Sequence, residues 1–150
     1  MLQRTQSLYL LAGVVLSIAI LFSTIFYISN DTGSLVLGAF GVKEGILEIE
    51  LLPMIPVAIL AGLSAVLQGF AISLFKNRSL QIMIIRVSMV ITLLTIGFMG
   101  YVYYEVSNAG LTIIPFIGVF HAPLMLFADV LAIRGVKKDE ALVKSVDRLR

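Results

Sequence analysis

Four long apolar segments, separated by short polar ones, dominate the hydropathy pattern of the chain. They cover residues 8–28, 53–75, 80–104 and 112–133. A helix of about 20 apolar residues, rising 1.5 Å per residue, is long enough to cross the hydrocarbon core of a bilayer. The pattern therefore predicts an all-α membrane protein with four antiparallel transmembrane helices, forming a single domain over residues 1–150.

The first apolar segment follows a short polar lead that contains Arg4. A cleaved signal peptide would begin in the same way. However, its apolar region would be only about 7–15 residues long, and a small-x-small cleavage motif would follow it. No such motif follows Tyr27-Ile28-Ser29, so we interpret the segment as an uncleaved anchor.

The first loop between apolar segments contains two runs rich in leucine and β-branched residues, at 34–40 and 45–51. The glycine-bounded sequence Gly41-Val42-Lys43-Glu44-Gly45 separates them, and the second run alternates between apolar and acidic positions. Alternation with a period of two is typical of a half-buried strand. We therefore predict a small β-hairpin lying on the membrane surface.

The composition agrees with a membrane location. Hydrophobic residues make up 59% of the chain and charged residues 13%, whereas a soluble domain has roughly 45–50% and 25%. A net charge of +2 gives no indication of nucleic-acid binding. The absence of cysteine excludes disulfides, thiolate metal sites and cysteine nucleophiles.

Basic residues gather at one end of the predicted helices. Lys43 is the single basic residue of the opposite end, where the acidic residues of the first loop lie. Because lysine and arginine accumulate on the cytoplasmic side, both termini are predicted to be cytoplasmic. The residues counted on that side are Arg4, Lys76, Arg78, Arg134, Lys137 and Lys138.

The second segment contains small residues at a spacing of four, namely Ala61, Ala65, Gly69 and Ser73. A stripe of small side chains lets membrane helices approach closely, so this stripe is a candidate packing surface. Small residues are also common in membrane helices generally, which is the simpler explanation.

Three ionisable residues lie inside the predicted spans: Arg86, His121 and Asp129. Such residues are costly in lipid and are default candidates for function. Arg86 and Asp129 lie at similar depth on antiparallel helices, so we predict that they form an ion pair that clamps the bundle. The alternatives are an Arg86 side chain that extends to the membrane surface, and a role in transport or proton relay.

His121 lies near the middle of the fourth predicted span, two residues before Pro123. It could exchange protons or hold a ligand, but a simple polar contact with another helix is the more economical interpretation. No second ligand follows at i+3 or i+4, so no metal site is predicted. No catalytic constellation or cofactor motif is present either, and we expect a protein that is not an enzyme.

The C-terminal segment 134–150 combines basic and acidic residues. Glu140 and Lys144 have the favourable i, i+4 order, which predicts a short amphipathic helix that continues the fourth span or is hinged at Gly135. A plain membrane anchor would explain the basic residues, whereas the interleaved acids favour pairing with other groups or with a protein partner. The candidate cytoplasmic interaction residues are Arg4, Arg134, Lys138, Asp139, Glu140, Lys144, Asp147 and Arg148.

The two ends of the chain resemble a known family. The opening carries Gln3-Arg4-Thr5-Gln6 with Tyr9-Leu10, and the ending carries Leu131-Ala132-Ile133-Arg134, Lys138-Asp139-Glu140, Leu142-Val143-Lys144-Ser145 and Asp147-Arg148-Leu149-Arg150. These motifs are similar to those of an uncharacterised four-helix inner-membrane family of Bacteroidota, domain of unknown function 4293. Gly135-Val136 and Val146 depart mildly from its pattern. The resemblance implies location and topology, and no reaction.

Three functional hypotheses follow. The first is an inner-membrane scaffold, accessory subunit or assembly factor, with the lipid bilayer and a membrane or cytoplasmic protein as partners and no nucleic acid. The second is a small transporter or proton-coupled channel that uses Arg86, His121 and Asp129. The third is a regulatory adaptor whose tail docks on the membrane surface in a salt-dependent way.

Overall fold

A computed structural model describes residues 5–45, 54–75 and 77–147 of the chain. The described part is mostly helical, with four helices and one small antiparallel sheet. The elements in chain order are α1 (Thr5–Phe22), β1 (Thr24–Asn30), β2 (Gly33–Gly38), β3 (Gly41–Gly45), α2 (Ile55–Ser73), α3 (Arg78–Asn108), β4 (Thr112–Pro115) and α4 (Ile117–Asp147).

The four helices pack side by side with alternating direction. One hydrophobic cluster joins residues near the start of α1 and α3 to residues near the end of α2 and late in α4, namely Leu10, Ile85, Ala71, Ala132 and Val136. A second cluster joins the opposite helix ends to the sheet, through Ile20, Val57, Met99, Ala122 and Phe26. The beginning of α1 and the end of α4 therefore lie at one end of the bundle, and the sheet covers the other.

On each helix, most buried positions recur at steps of three or four residues. On α3 the buried positions are Gln81, Ile85, Ser88, Thr92, Thr95, Met99, Val102 and Val106. This spacing averages 3.5 residues and keeps one seam facing the neighbouring helices, as in left-handed bundles. The interior seam of α3 therefore contains four polar residues among its eight.

The sheet has the strand order β3-β2-β1-β4, and all neighbours are antiparallel. Strand β1, one of the two central strands, follows α1 directly and pairs with β4, which precedes α4. Ile28 of β1 and its partner Leu35 of β2 lie on the inner face of the sheet and are buried. Lys43 on β3 donates a hydrogen bond to the carbonyl of Phe22 at the end of α1, where carbonyl groups lack helical partners.

The structure corrects two predicted spans. The first span was predicted over 8–28, but α1 ends at Phe22 and the remainder forms β1. The fourth was predicted to begin at residue 112, but 112–115 form β4 and the helix begins at Ile117. Short apolar runs suit a buried strand as well as a helix, and the pairing of β1 with both β2 and β4 decides between them.

The predicted hairpin is present in a shifted form, within a sheet of four strands rather than two. Its first strand is β2, but the residues predicted as the turn, Gly41–Gly45, form β3. The rest of the predicted second strand lies outside the described residues. Gly41 and Gly45 both have positive φ, which lets this short strand bend.

Three helical segments are long and apolar enough to cross a membrane: Ile55–Ser73, Arg78–Asn108 and Ile117–Ala141. The apolar part of α1 is shorter, at Gln6–Phe22. Only 33% of each spanning window is buried inside the protein. Most apolar side chains therefore face outward, as expected of helices surrounded by lipid.

Candidate functional site

A polar cluster lies inside the bundle, with one side chain from each helix. Its members, which we call the polar core, are Ser17 on α1, Gln68 on α2, Ser88 on α3 and Asp129 on α4, and all four are fully buried. A buried polar group is costly unless it is hydrogen-bonded, and a buried carboxylate is the most costly of the four. The polar core is therefore the part of the bundle most in need of explanation.

Gln68 is the centre of the hydrogen-bonding pattern. Its Nε2 donates to Oδ1 of Asp129 at 3.0 Å. On its other side, the Ser17 hydroxyl lies 3.2 Å from Gln68 Oε1 and 2.9 Å from the carbonyl oxygen of Gly13. Gln68 thus connects α1 to α4 through its two amide atoms.

Gly13 makes room for the Gln68 amide. A Cβ atom at this position would lie 2.8 Å from both Nε2 and Oε1 of Gln68, closer than van der Waals contact allows. The backbone of Gly13 is ordinary helix, so the glycine is needed for its missing side chain and not for its backbone freedom.

Asp129 is only partly satisfied. Its Oδ2 has no hydrogen-bond partner, and neither does the buried Oγ of Ser88. Ser88 faces the carboxyl group from α3. The Ser88 hydroxyl is therefore a further polar group beside the carboxyl group, and it can donate to a carboxylate or accept from a protonated one.

The predicted Arg86–Asp129 ion pair is absent from the described structure. Asp129 contacts Gln68 and Ser88, whereas Arg86 is exposed. Successive helical residues are rotated by about 100°, so Arg86 lies about 200° around α3 from Ser88. Similar depth was not sufficient, because the two side chains point in different directions.

His121 lies close to the start of α4 rather than in the middle of a span. Its Nδ1 is 2.9 Å from the carbonyl oxygen of Ile117, one turn earlier in the same helix. Asp129 is two turns further along, about 12 Å by helical rise. The structure thus does not bring Arg86, His121 and Asp129 together.

The small-residue stripe predicted on α2 is also corrected. Ala61 is buried, but Gly69 has no neighbour within 4 Å of a Cβ position and Ser73 is exposed. A repeated step of four residues drifts by about 40° per step around a helix, so the stripe leaves the interior. Ala65 is half-buried. The packing face instead contains Val57, Ala58, Ala61, Ser64, Gln68 and Ala71.

The C-terminal charged segment continues α4 without a break to Asp147. Gly135 lies close to α1, where a Cβ atom would be 3.1 Å from Gln6 Cβ. Val136 is fully buried, and the side chains of residues 142–147 lie outside the described part of the chain. Arg134, Lys137 and Lys138 are exposed, while Asp139 and Glu140 are half-buried and engaged in interactions. Arg4 and Arg148 lie outside the described residues, as do the side chains of Lys144 and Asp147.

An apolar cleft of about 320 Å³ lies between α3, α4 and the sheet. Phe26, Met99, Tyr103 and Pro123 are among its lining residues. Pro123 lacks the N–H that would bond the Val119 carbonyl, yet α4 continues through it. Within the described part of the chain, no three His, Asp or Glu side chains converge on a common point.

Sequence reasoning missed Ser17, Gln68 and Ser88. The sequence contained a signal for them. Polar residues inside the apolar segment of α3 recur at the spacing of its buried positions, and Gln68 lies inside the apolar segment of α2. In a membrane bundle the interior is marked by polar and small residues rather than by hydrophobicity.

The described chain combines four helices, three of them long and apolar enough to cross a membrane, with a small antiparallel sheet and a buried polar core. These features are consistent with the class of membrane proteins. The particular family follows from a sequence comparison. The chain belongs to the family described as Domain of unknown function (DUF4293), whose model matches residues 2–149. The resemblance noted at the two ends of the chain is thereby confirmed over nearly its whole length. Searches of curated proteins and of solved structures gave no significant match.

Proposed function

We propose that this chain is an integral protein of the bacterial inner membrane that acts as a scaffold, accessory subunit or assembly factor. In this proposal all four helices cross the bilayer, the sheet lies on the external side, and both termini are cytoplasmic. The charged end of α4 is the docking element for a membrane or cytoplasmic protein partner.

The observation that carries the proposal is the continuity of α4. After Val136, which is fully buried, the helix runs for about 11 more residues, or roughly 16 Å at helical rise. A membrane anchor needs basic residues near the surface but no ordered extension beyond it. A continuous helix instead presents Lys137 and Lys138 in a fixed orientation relative to the bundle, which suits recognition by a partner.

The distribution of charge supports the proposed orientation. The described basic residues Arg78, Arg134, Lys137 and Lys138 belong to the end of the bundle where α3 begins and α4 extends. At the sheet end, Lys43 is turned back onto the Phe22 carbonyl. By the positive-inside rule the extended end of α4 is the cytoplasmic end.

A charge-reversal experiment tests the docking role. The variant K137E/K138E changes two exposed side chains and leaves the buried bundle untouched. The matched control D31K/E44K reverses two exposed charges at the sheet end. Both variants and the wild type are crosslinked in intact cells, extracted in mild detergent and compared by quantitative mass spectrometry.

The proposal predicts a partner that is crosslinked to the wild type and to D31K/E44K but is reduced at least tenfold with K137E/K138E. Equal recovery of every crosslinked protein with K137E/K138E would refute the docking role. Salt-dependent docking of the α4 extension on an anionic bilayer, without loss of any crosslinked protein, would instead identify the membrane surface as the docking target.

A further inference from the structure

Among the described residues, the carboxyl group of the polar core has no counter-charge. Asp129 is fully buried, and its neighbours from the other helices are uncharged: Gln68 on α2, Ser88 on α3, and Ser17 behind Gln68 on α1. The basic residues nearest in sequence on α3 and α4, Arg86 and Arg134, are both exposed. Removing a carboxylate from water without pairing it is energetically costly, so this arrangement needs compensation.

The geometry shows where the compensation would be placed. Asp129 Oδ1 already accepts a 3.0 Å hydrogen bond from Gln68 Nε2. The unsatisfied atoms are Asp129 Oδ2 and Ser88 Oγ, both fully enclosed. The Ser88 hydroxyl can donate to the carboxylate, but a neutral hydroxyl supplies no positive charge, so a proton on the carboxyl group is what would remove the buried charge.

We propose that Asp129, with Gln68 and Ser88 positioning its carboxyl group, is a buried proton-binding site inside the bundle. A proton on the carboxyl group would donate to Ser88 Oγ, which accepts it through a free lone pair. Hard metal cations in proteins take about six oxygen ligands, so Na⁺ is treated as a competing occupant in the test. The inference does not rest on the docking role of α4 and survives its failure.

The test measures thermal unfolding of the full-length protein in lipid nanodiscs. One series varies pH in a sodium-free choline buffer, and a second varies Na⁺ at fixed pH with choline keeping the ionic strength constant. A cation that binds only the folded state raises the unfolding temperature as its concentration increases. The wild type is compared with D129N, S88A and the control D31N, which changes an exposed carboxylate at the sheet end.

The expected result is a rise in unfolding temperature with proton concentration that is kept in D31N and lost in D129N. S88A should retain the dependence with its midpoint shifted by about tenfold, because the hydroxyl group that faces the carboxyl group is removed. S88A also keeps the test decisive when D129N yields no folded protein.

The two series distinguish the occupants. Dependence on pH alone, together with an infrared band of a protonated carboxyl group that D129N removes, identifies the proton. Dependence on Na⁺ at constant pH, in place of a dependence on pH, would overturn the assignment of a proton. An unfolding temperature that responds to neither cation, or that responds equally in wild type, S88A and D129N, overturns the proposal.

Discussion

The hydrogen bond between Gln68 and Asp129 should make these two residues energetically coupled. The substitution Gln68→Met keeps the length of the side chain but removes its donor and acceptor. It leaves Oδ1 of Asp129 without its donor, in addition to the unpartnered Oδ2. An unsatisfied buried polar group costs about 1–3 kcal/mol, so Q68M should destabilise the protein by about 2–3 kcal/mol.

The substitution Asp129→Ala removes the acceptor instead and should cost about 1–3 kcal/mol, because the Gln68 amide then loses its partner. In the double variant Q68M/D129A both hydrogen-bonding groups are removed, so neither is left buried without its partner. The double variant should therefore be more stable than the sum of the single effects predicts, by about 1 kcal/mol or more. Coupling energies of hydrogen bonds inside membrane bundles reach about 1.7 kcal/mol, so this value is within the known range.

The assay is reversible unfolding in mixed micelles, followed by circular dichroism, for the wild type, both single variants and the double variant. The control cycle pairs Q68M with Thr95→Val, since Thr95 bonds only to the Ile91 carbonyl of its own helix. That control should be additive within about 0.5 kcal/mol. Additivity of Q68M and D129A within the same margin would refute the account of the polar core.

Two further predictions concern close contacts and use the same unfolding assay. Gly13→Ala should destabilise the protein by about 1–3 kcal/mol because its Cβ would meet the Gln68 amide at 2.8 Å. The control Gly97→Ala, with open space around the Cβ position, should be neutral or stabilising by up to about 1 kcal/mol. Equal effects of the two substitutions on stability would contradict the close packing at Gly13. Lys43→Met should cost about 0.5–1.5 kcal/mol because the Phe22 carbonyl loses its donor, and an unchanged stability would show that this cap contributes nothing.

The helices were predictable because their signal is local. Apolar runs of sufficient length identified α2 and α3 almost to their observed bounds, and the same logic located most of α1 and the first half of α4. The end of α1 and the beginning of α4 were not predictable in this way. Thr24–Asn30 has the hydropathy of the end of an apolar span, and its pairing with β2 and with residues 112–115, which are far away in the sequence, makes it a strand.

The candidate site was predictable in part for a related reason. The sequence identified Asp129 as an unusual residue, because a carboxylate inside an apolar segment is costly. The partner was misassigned, since depth along the membrane can be read from residue number but rotation about the helix axis depends on packing. Arg86 and Ser88 are two residues apart on α3, and that difference alone decides which of them reaches the interior.

The central claim, a bundle with its charged α4 extension in the cytoplasm and its sheet outside, is tested most directly by single-cysteine labelling. The chain has no native cysteine, so Asp31→Cys at the sheet end and Ala141→Cys on α4 can each carry the only thiol, and both positions are exposed. Cells with a permeabilised outer membrane are treated with a membrane-impermeant maleimide before or after lysis. The account predicts that D31C is labelled before lysis and A141C only after it. Labelling of A141C in unlysed cells, or protection of D31C until lysis, would contradict the account.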